Sequence, residues 1–462
     1  MAIWLFQSLQ NKILAKIKAL LNGAFMFTEN HSQRASFFFT PLVIALLAGT
    51  ANAAEENSPD WNAETLTGDW GGTRSSLYDK GVSLEFTHKS DILANTTRGG
   101  GKRGAAWMGY TDARITMDME KLLNWNATTV FFQYHSELGS KFNRDYVGSF
   151  VGVNNIEVGT NTAQFLHAWL QKNFSDNSLS VLAGLYAIDS EFYVTDTSSV
   201  FTQTPYGMAN DLGQAGPPIY PVGALALRVK YTSPGQNFYL QSAVTDGVPG
   251  DPNNPHGTHI KLGNGDGTLS IVEFGYTPQL NEQPSESTQQ DVREESESFN
   301  KTAIGFWNYT ARADDQDPAN IDAFGNPLRR PNRGAYFLAE RTLMIEKDHP
   351  SQGLSGFVRF GVANKDIHQA DWTGSLGLRY RGLIDGRDDD IAAVGVTVSH
   401  AGEPYRRTNA SLSSETSVEA TYRAQVNPWL ALQPTLQYVQ HPGMNPVTMN
   451  VWVVGVRIEA AF

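Results

Sequence analysis

Seven arginines, Arg114, Arg228, Arg359, Arg379, Arg381, Arg423 and Arg457, stand in segments where every second residue is apolar. Each occupies the polar register of its segment. Arg228 opposes Leu225, Leu227, Val229 and Tyr231, and Arg379 with Arg381 opposes Leu376, Leu378 and Tyr380. Glu85, Asp112, Asp118, Glu419 and Glu459 take the same polar register in their own segments. A guanidinium is a planar fork of five donors that keeps its charge, and carboxylates hold such forks by charge-assisted hydrogen bonds. This chemistry binds and orients polar solutes without making or breaking covalent bonds.

Other residue groups give no support to catalysis. Asp388-Asp389-Asp390 follows Gly386-Arg387 in a turn, where solvation is the ordinary reading. Asn264-Gly265-Asp266-Gly267 contains part of a calcium loop without its twelve-residue ligand set. The ten histidines form no HExxH pattern, and Gly99-Gly100-Gly101 lacks the surroundings of a phosphate loop. With no cysteine in the chain, disulfides and thiolate chemistry are excluded. Neither an enzyme nor a cofactor or metal site is expected.

The elements that position the arginines read as strands. Ala113, Ile115, Met117 and Met119 alternate with Asp112, Arg114, Thr116 and Asp118; Val418, Ala420 and Tyr422 alternate with Glu419, Thr421 and Arg423. Trp452, Val454, Val456, Ile458, Ala460 and Phe462 share one face, with Arg457 and Glu459 on the other. Such alternation predicts half-buried strands, in either a β-sandwich or a membrane barrel. The barrel is favoured by the terminal aromatic Phe462 and by Trp107, Tyr110, Trp125, Trp169, Trp372 and Trp429 near segment ends, where interfacial girdles belong. Lipid offers no hydrogen bonds, so a sheet that crosses it must close on itself. The chain has room for about sixteen crossing segments of about ten residues. Short turns at Pro234-Gly235, Gln352-Gly353 and Asn427-Pro428 alternate with long outer loops expected over 140–162, 190–222, 246–268, 281–300 and 312–334.

The N-terminal residues predict export. The apolar run 37–48 follows Arg34 and precedes Ala51-Asn52-Ala53, so residues 1–53 read as a signal peptide cleaved after Ala53, with Met26 an alternative start. Residues 54–81 then form a periplasmic segment carrying a short helix from Arg74 to Lys80, and the barrel occupies 82–462. Losing the leader removes Lys12, Lys16, Lys18, Arg34 and Glu29, which moves the formal net charge from −12 to −15. A chain this acidic is no general nucleic-acid binder.

LTGDWGGTRSSLYDKGVSLEF (66–86), LAGLYAIDSEFYVTD (182–196), GLSGFVRFGVANKD (353–366) and ATYRAQVNPWLALQPTLQYVQHPG (420–443) stand in an order that resembles the carbohydrate-selective porins of the OprB type. YPVGALALRVKYTSPGQNFYLQSAVTDGVPG, NGDGTLSIVEFGY and YRGLIDGRDDDIAAVGVTVSH extend the resemblance over most of the chain. It implies a sixteen-stranded antiparallel outer-membrane barrel with a short N-terminal helix, passing monosaccharides such as glucose, and disaccharides, through a constriction of arginines and acids. It also implies outer-membrane lipid and the barrel assembly machinery as partners, with Phe462 as assembly signal, in a monomer or homotrimer. The seven arginines and five acids named above are the candidates for the sugar path. Phe131, Gln133, His135, His167 and Trp169 are further lumen candidates, with Leu166, Ala168 and Leu170 as the rival face of their segment. Two other readings stand beside this one: a porin for sugar acids, drawn by the arginines as charges, and a secreted β-rich polysaccharide-binding protein.

Overall fold

The computed structural model describes residues 59–97, 102–263, 265–278 and 299–462. The expected signal peptide and both candidate start sites lie outside them. Strands β1 (Val82–Asn95), β2 (Gly104–Asp118), β3 (Thr128–Gly139) and β4 (Ala163–Phe174) precede the shorter β5 (Leu179–Tyr186), β6 (Ala224–Thr232), β7 (Phe238–Asp246) and β8 (Thr268–Tyr276). β9 (Asn300–Asp314), β10 (Arg329–Ile345), β11 (Gly353–Ala363) and β12 (Ala370–Arg381) lead to β13 (Ile391–Ala401), β14 (Ser414–Asn427), β15 (Leu430–Gln440) and β16 (Val451–Ala461). Consecutive strands pair antiparallel, and β1 closes the barrel on β16, with Thr87 opposite Ala461 and Asn95 opposite Val453.

Period-two sequence decides which residues face out. Ile92, Ile115, Leu227, Phe274, Phe306, Leu376, Leu378, Val394, Val454 and Ile458 are exposed on the outer wall, where lipid would cover them. One irregularity disturbs parity where the sequence left it open. On β4, His167 pairs with Gln133 and Phe165 with Tyr134, so Leu166 is an extra residue. That bulge lets Leu166 and His167 both be buried inward. Of the expected girdle residues, Trp107 and Trp125 are exposed, whereas Tyr110 and Trp169 turn inward. Tyr110 meets His135 at a tilt and Tyr220 edge to face, and Trp169 lies 5.0 Å from the Phe131 ring.

Neighbouring strands alternate in direction, so the turns after β2, β4, β6, β8, β10, β12 and β14 share one end with both chain termini. Most are short, such as Pro428-Trp429 between β14 and β15. The stretch expected as an outer loop over 281–300 lies almost wholly outside the described residues, which resume at 299. Loops 140–162, 187–223 and 247–267 share the opposite end.

Ahead of β1, at the short-turn end, lie the helices α1 (Trp61–Glu64) and α2 (Thr73–Asp79). Gly71 and Gly72 enter α2 at φ 68° and 90°, and Gly81 leaves it at φ 89°, values that exclude most side chains. The turn aims Arg74 at the barrel seam. Its guanidinium donates to Thr65 Oγ1 (3.0 Å), to the Leu84 carbonyl of β1 (2.8 Å) and to the Phe462 carbonyl beyond β16 (2.9 Å). Trp61 and Trp70 flank it at 4.3 and 4.7 Å from their ring centroids. The sequence 66–86 thus locks the first strand to the last.

Candidate functional site: a lumen narrowed by two inward loops

Loops 140–162 and 187–223 fold into the barrel. Phe142, Val147, Val153 and Ile156 of the first pack on Leu93, Met108, Val439 and Val453, all inward residues of the wall. Ile188, Phe192, Tyr193, Met208 and Leu212 of the second pack on Leu182, Ile271, Trp307, Tyr336 and Leu338. The loops also join each other: Asn155 N–H donates to the Thr202 carbonyl (2.7 Å), and Thr204 Oγ1 to that of Asn154 (2.9 Å). Together they narrow the lumen at mid-height.

Irregular backbone inside a barrel needs partners for its polar groups, and wall carboxylates supply them. Glu419 of β14 accepts from Thr202 N–H (2.8 Å), Thr202 Oγ1 (2.7 Å) and Gln203 N–H (3.0 Å). Glu415 accepts from Phe150 and Val151 N–H at 2.8 and 3.1 Å. Glu340 of β10 takes Thr197 N–H and Oγ1, both at 2.9 Å. Glu273 of β8 takes Tyr193 N–H (2.9 Å) and the hydroxyls of Tyr239 and Tyr336 (both 2.7 Å). Loop aromatics settle where the wall lacks a side chain. A Cβ on Gly395 would meet Tyr206 Oη at 2.6 Å and Phe201 Cζ at 3.0 Å.

The predicted residues divide by height. Buried Arg359 donates to the Pro205, Tyr206 and Gly207 carbonyls at 3.2, 2.9 and 2.9 Å, and its guanidinium lies 4.6 Å from the Tyr193 ring centroid. Arg457 grips Asp91 with two bonds of 2.8 and 2.7 Å and donates to Asn155 Oδ1 (2.6 Å). Arg228 pairs with Glu191 of the second loop at 2.7 Å. These three, with Glu419, are loop anchors sealed from the open lumen. Asp118 accepts from Glu120 and Lys121 N–H and caps a short helix, Met119–Leu123, at the short-turn end.

Nearer the short-turn end the charges are open. Arg114 lies beside Asp112 (2.7 Å) and Glu85 (3.8 Å), with its side chain 45% exposed. Glu459 bridges Lys89 (3.6 Å) and Arg423 (3.5 Å), and Arg381 pairs with Asp389 of the next turn (2.7 Å). Arg379 is almost buried, 4.9 Å from the Phe299 ring centroid. Beneath the second loop opens a cavity of about 450 Å³, lined by Glu191, Asp196, Lys230, Tyr239, Gln241 and Lys301. Above the first, one of about 170 Å³ is lined by Lys141, Arg144, Asn154 and Glu157. Gln133, His135 and His167 are buried inward, with His135 beside Glu137 and hydrogen-bonded to the Pro221 carbonyl.

Sequence reasoning missed Arg74, Asp91, Glu273, Glu340 and Glu415, and with them Lys89, Lys230 and Lys301. A signal existed for the anchors. Leu269 and Ile271 are apolar and inward although Val272 and Phe274 are apolar and outward; a strand oily on both faces, carrying one inward glutamate and Gly275, marks a wall with something packed inside it.

Two loop carboxyls are held out of water. Burial pushes Asp211 up to about 7 against the opposing pull of Arg359; one oxygen accepts from Tyr193 Oη at 3.2 Å and the other has no hydrogen-bond partner among the described residues. Burial pushes Asp189 up to about 6, although Tyr220 N–H donates to it at 3.0 Å.

A closed, outwardly oily barrel with charged residues in a constricted lumen defines a transmembrane channel of the porin class. The carbohydrate-selective porin family, OprB, matches residues 102–462 by its family model, and the chain belongs to that family. Porin B of Pseudomonas aeruginosa is 25% identical over 450 residues, covering 90% of this chain and 95% of its own. A putative porin, QuiX, of Acinetobacter baylyi is 24% identical, with coverage of 92% and 99%. The high-pH structure of Pseudomonas putida OprB shares the fold at a TM-score of 0.73 and 22% identity, covering 87% of this chain and 99% of its own. An outer-membrane barrel follows.

Proposed function

We propose that the protein lets neutral sugars, glucose among them, diffuse passively through the water-filled lumen. The observation that carries this reading is the mixed charge of the open lumen. Arg114, Lys89, Arg423 and Arg381 each stand within 4 Å of a carboxylate. The large cavity likewise sets Lys230 and Lys301 against Glu191 and Asp196. A polyol finds donors and acceptors there that replace its water, while an anion meets as much repulsion as attraction. Lys230 also lies 5.3 Å from the centroid of Tyr239, whose ring suits the C–H face of a sugar. On the same reading, residues 1–53 are removed during export and Phe462 is recognised during barrel assembly.

Single-channel recording with a panel of sugars tests the proposal. Glucose is expected to reduce the ion current in a concentration-dependent way, and a salt gradient should give a reversal potential near zero. A strongly anion-selective reversal potential with no response to glucose would instead favour sugar acids.

A further inference from the structure

Over most of its height the outer wall is uncharged, as hydrocarbon requires. The exception lies on β9 and β10. The outward residues Phe306, Ala335, Val362 and Trp372 stand level in register across four strands, so the tryptophan marks the upper edge of the oily band. One outward step above Ala335 is Arg333, opposite Asn308. One step further Pro331 stands opposite Arg312, because a register shift between Pro331 and Arg333 draws Arg312 toward that level. Arg329 follows, opposite Asp314.

These arginines are only partly satisfied. Arg329 Nη1 donates to Asp314 Oδ1 at 2.8 Å, and Arg312 Nε to the Arg329 carbonyl at 3.0 Å. Among the described residues the Arg333 guanidinium has no hydrogen-bond or ion-pair partner, and Asp314 is the sole acid of the outward group. Three arginines against one carboxylate leave a local excess of two positive charges, on a chain whose formal net charge is −12. They lie just above the apolar band, at the long-loop end, which in a porin faces the outer leaflet.

We propose that this patch docks a phosphate-bearing lipid headgroup of the outer leaflet. Its acyl chains would lie on Phe306, Ala335 and Phe337, and its phosphate would sit between Arg312 and Arg333. The guanidinium fork matches phosphate oxygens two at a time, and at this depth an arginine is tolerated as it is not at mid-bilayer. Arg341 provides an internal control: it also faces outward on β10, but near the opposite rim, where it bonds Asn300.

The test uses the full-length protein in micelles doped with phosphatidic acid or with phosphatidylcholine of the same chains, reading retained lipid by native mass spectrometry. The parent should retain phosphatidic acid about tenfold or more over phosphatidylcholine. R312A/R333A should lose that preference, and R341A should keep it. R312Q/R333Q, which keeps the side-chain stems, should lose it as well if the charged fork is the reader. Inorganic phosphate added to phosphatidylcholine micelles should not compete the retained phosphatidic acid away. Parent-level preference in both double variants, equal loss in R341A, or full competition by inorganic phosphate would overturn the assignment.

Discussion

Arg359 and Arg423 occupy the same inward register of the same barrel, yet they live in different media. Arg359, at mid-height, is enclosed by three loop carbonyls and the Tyr193 ring. Arg423, nearer the short-turn end, stands in the lumen 3.5 Å from Glu459. Glu419 and Glu459 repeat the contrast: the first is spent on Thr202, Gln203 and Thr435, the second bridges two cations in reach of water. Side-chain type and facing are therefore not enough to make a residue part of the path. Whether a loop folds over it decides.

The largest expected break in this contrast is Arg359→Ala. It strips three loop carbonyls of a charged donor, so stability should fall by about 3–5 kcal/mol and single-channel conductance should rise as loop 187–223 loosens. Unfolding in detergent and planar-bilayer recording read both; a stable variant with parental conductance would return Arg359 to the open path. Leu378→Arg tests the outer face instead. It should weaken insertion into vesicles by about 2–4 kcal/mol if the site lies near the midplane, and normal insertion would undo the facing assignment.

The loop layer should also respond to pH. Asp211 is held up to about 7 by burial, so between the ordinary carboxylate range and pH 7 the folded state binds a proton that the unfolded chain has released. Stability should then be highest at low pH within this window, fall as pH rises through it, and level off above. Asp211→Asn should flatten that slope in pH-dependent unfolding, and an unchanged slope would place the titration elsewhere. The smallest effect belongs to the open wall. Arg114→Ala with Arg423→Ala should change stability by no more than about 1 kcal/mol per pair lost, while shifting the reversal potential toward cations. A large stability loss would mean that these arginines too are structural.

Much of the barrel was legible because alternation with a fixed period is a wall property. Leu376, Leu378 and Tyr380 against Arg379 and Arg381 fix both faces of β12, and Val82 marks the start of β1. What stayed hidden was tertiary. Nothing local in 187–223 says that it folds inward, because the partners of Thr197, Thr202 and Pro205 lie on β10, β14 and β11, far away in sequence. The same cause hid the anchoring role of Arg228, Arg359, Arg457 and Glu419. Asp118 was misread for a different reason: the chain leaves β2 for a helical turn there, and its side chain caps that turn.

The loops 140–162 and 187–223, held by wall carboxylates and Arg359, narrow the lumen that the proposed sugar path must pass. Liposome swelling measured with glucose and with a bulkier disaccharide tests it most directly, using the parent and a Glu419→Ala variant whose folded barrel is confirmed by heat modifiability. The account predicts that the parent admits glucose well ahead of the disaccharide and that the variant narrows this ratio while both rates rise. An unchanged ratio in a folded variant whose loop protection from proteolysis has been lost would contradict it.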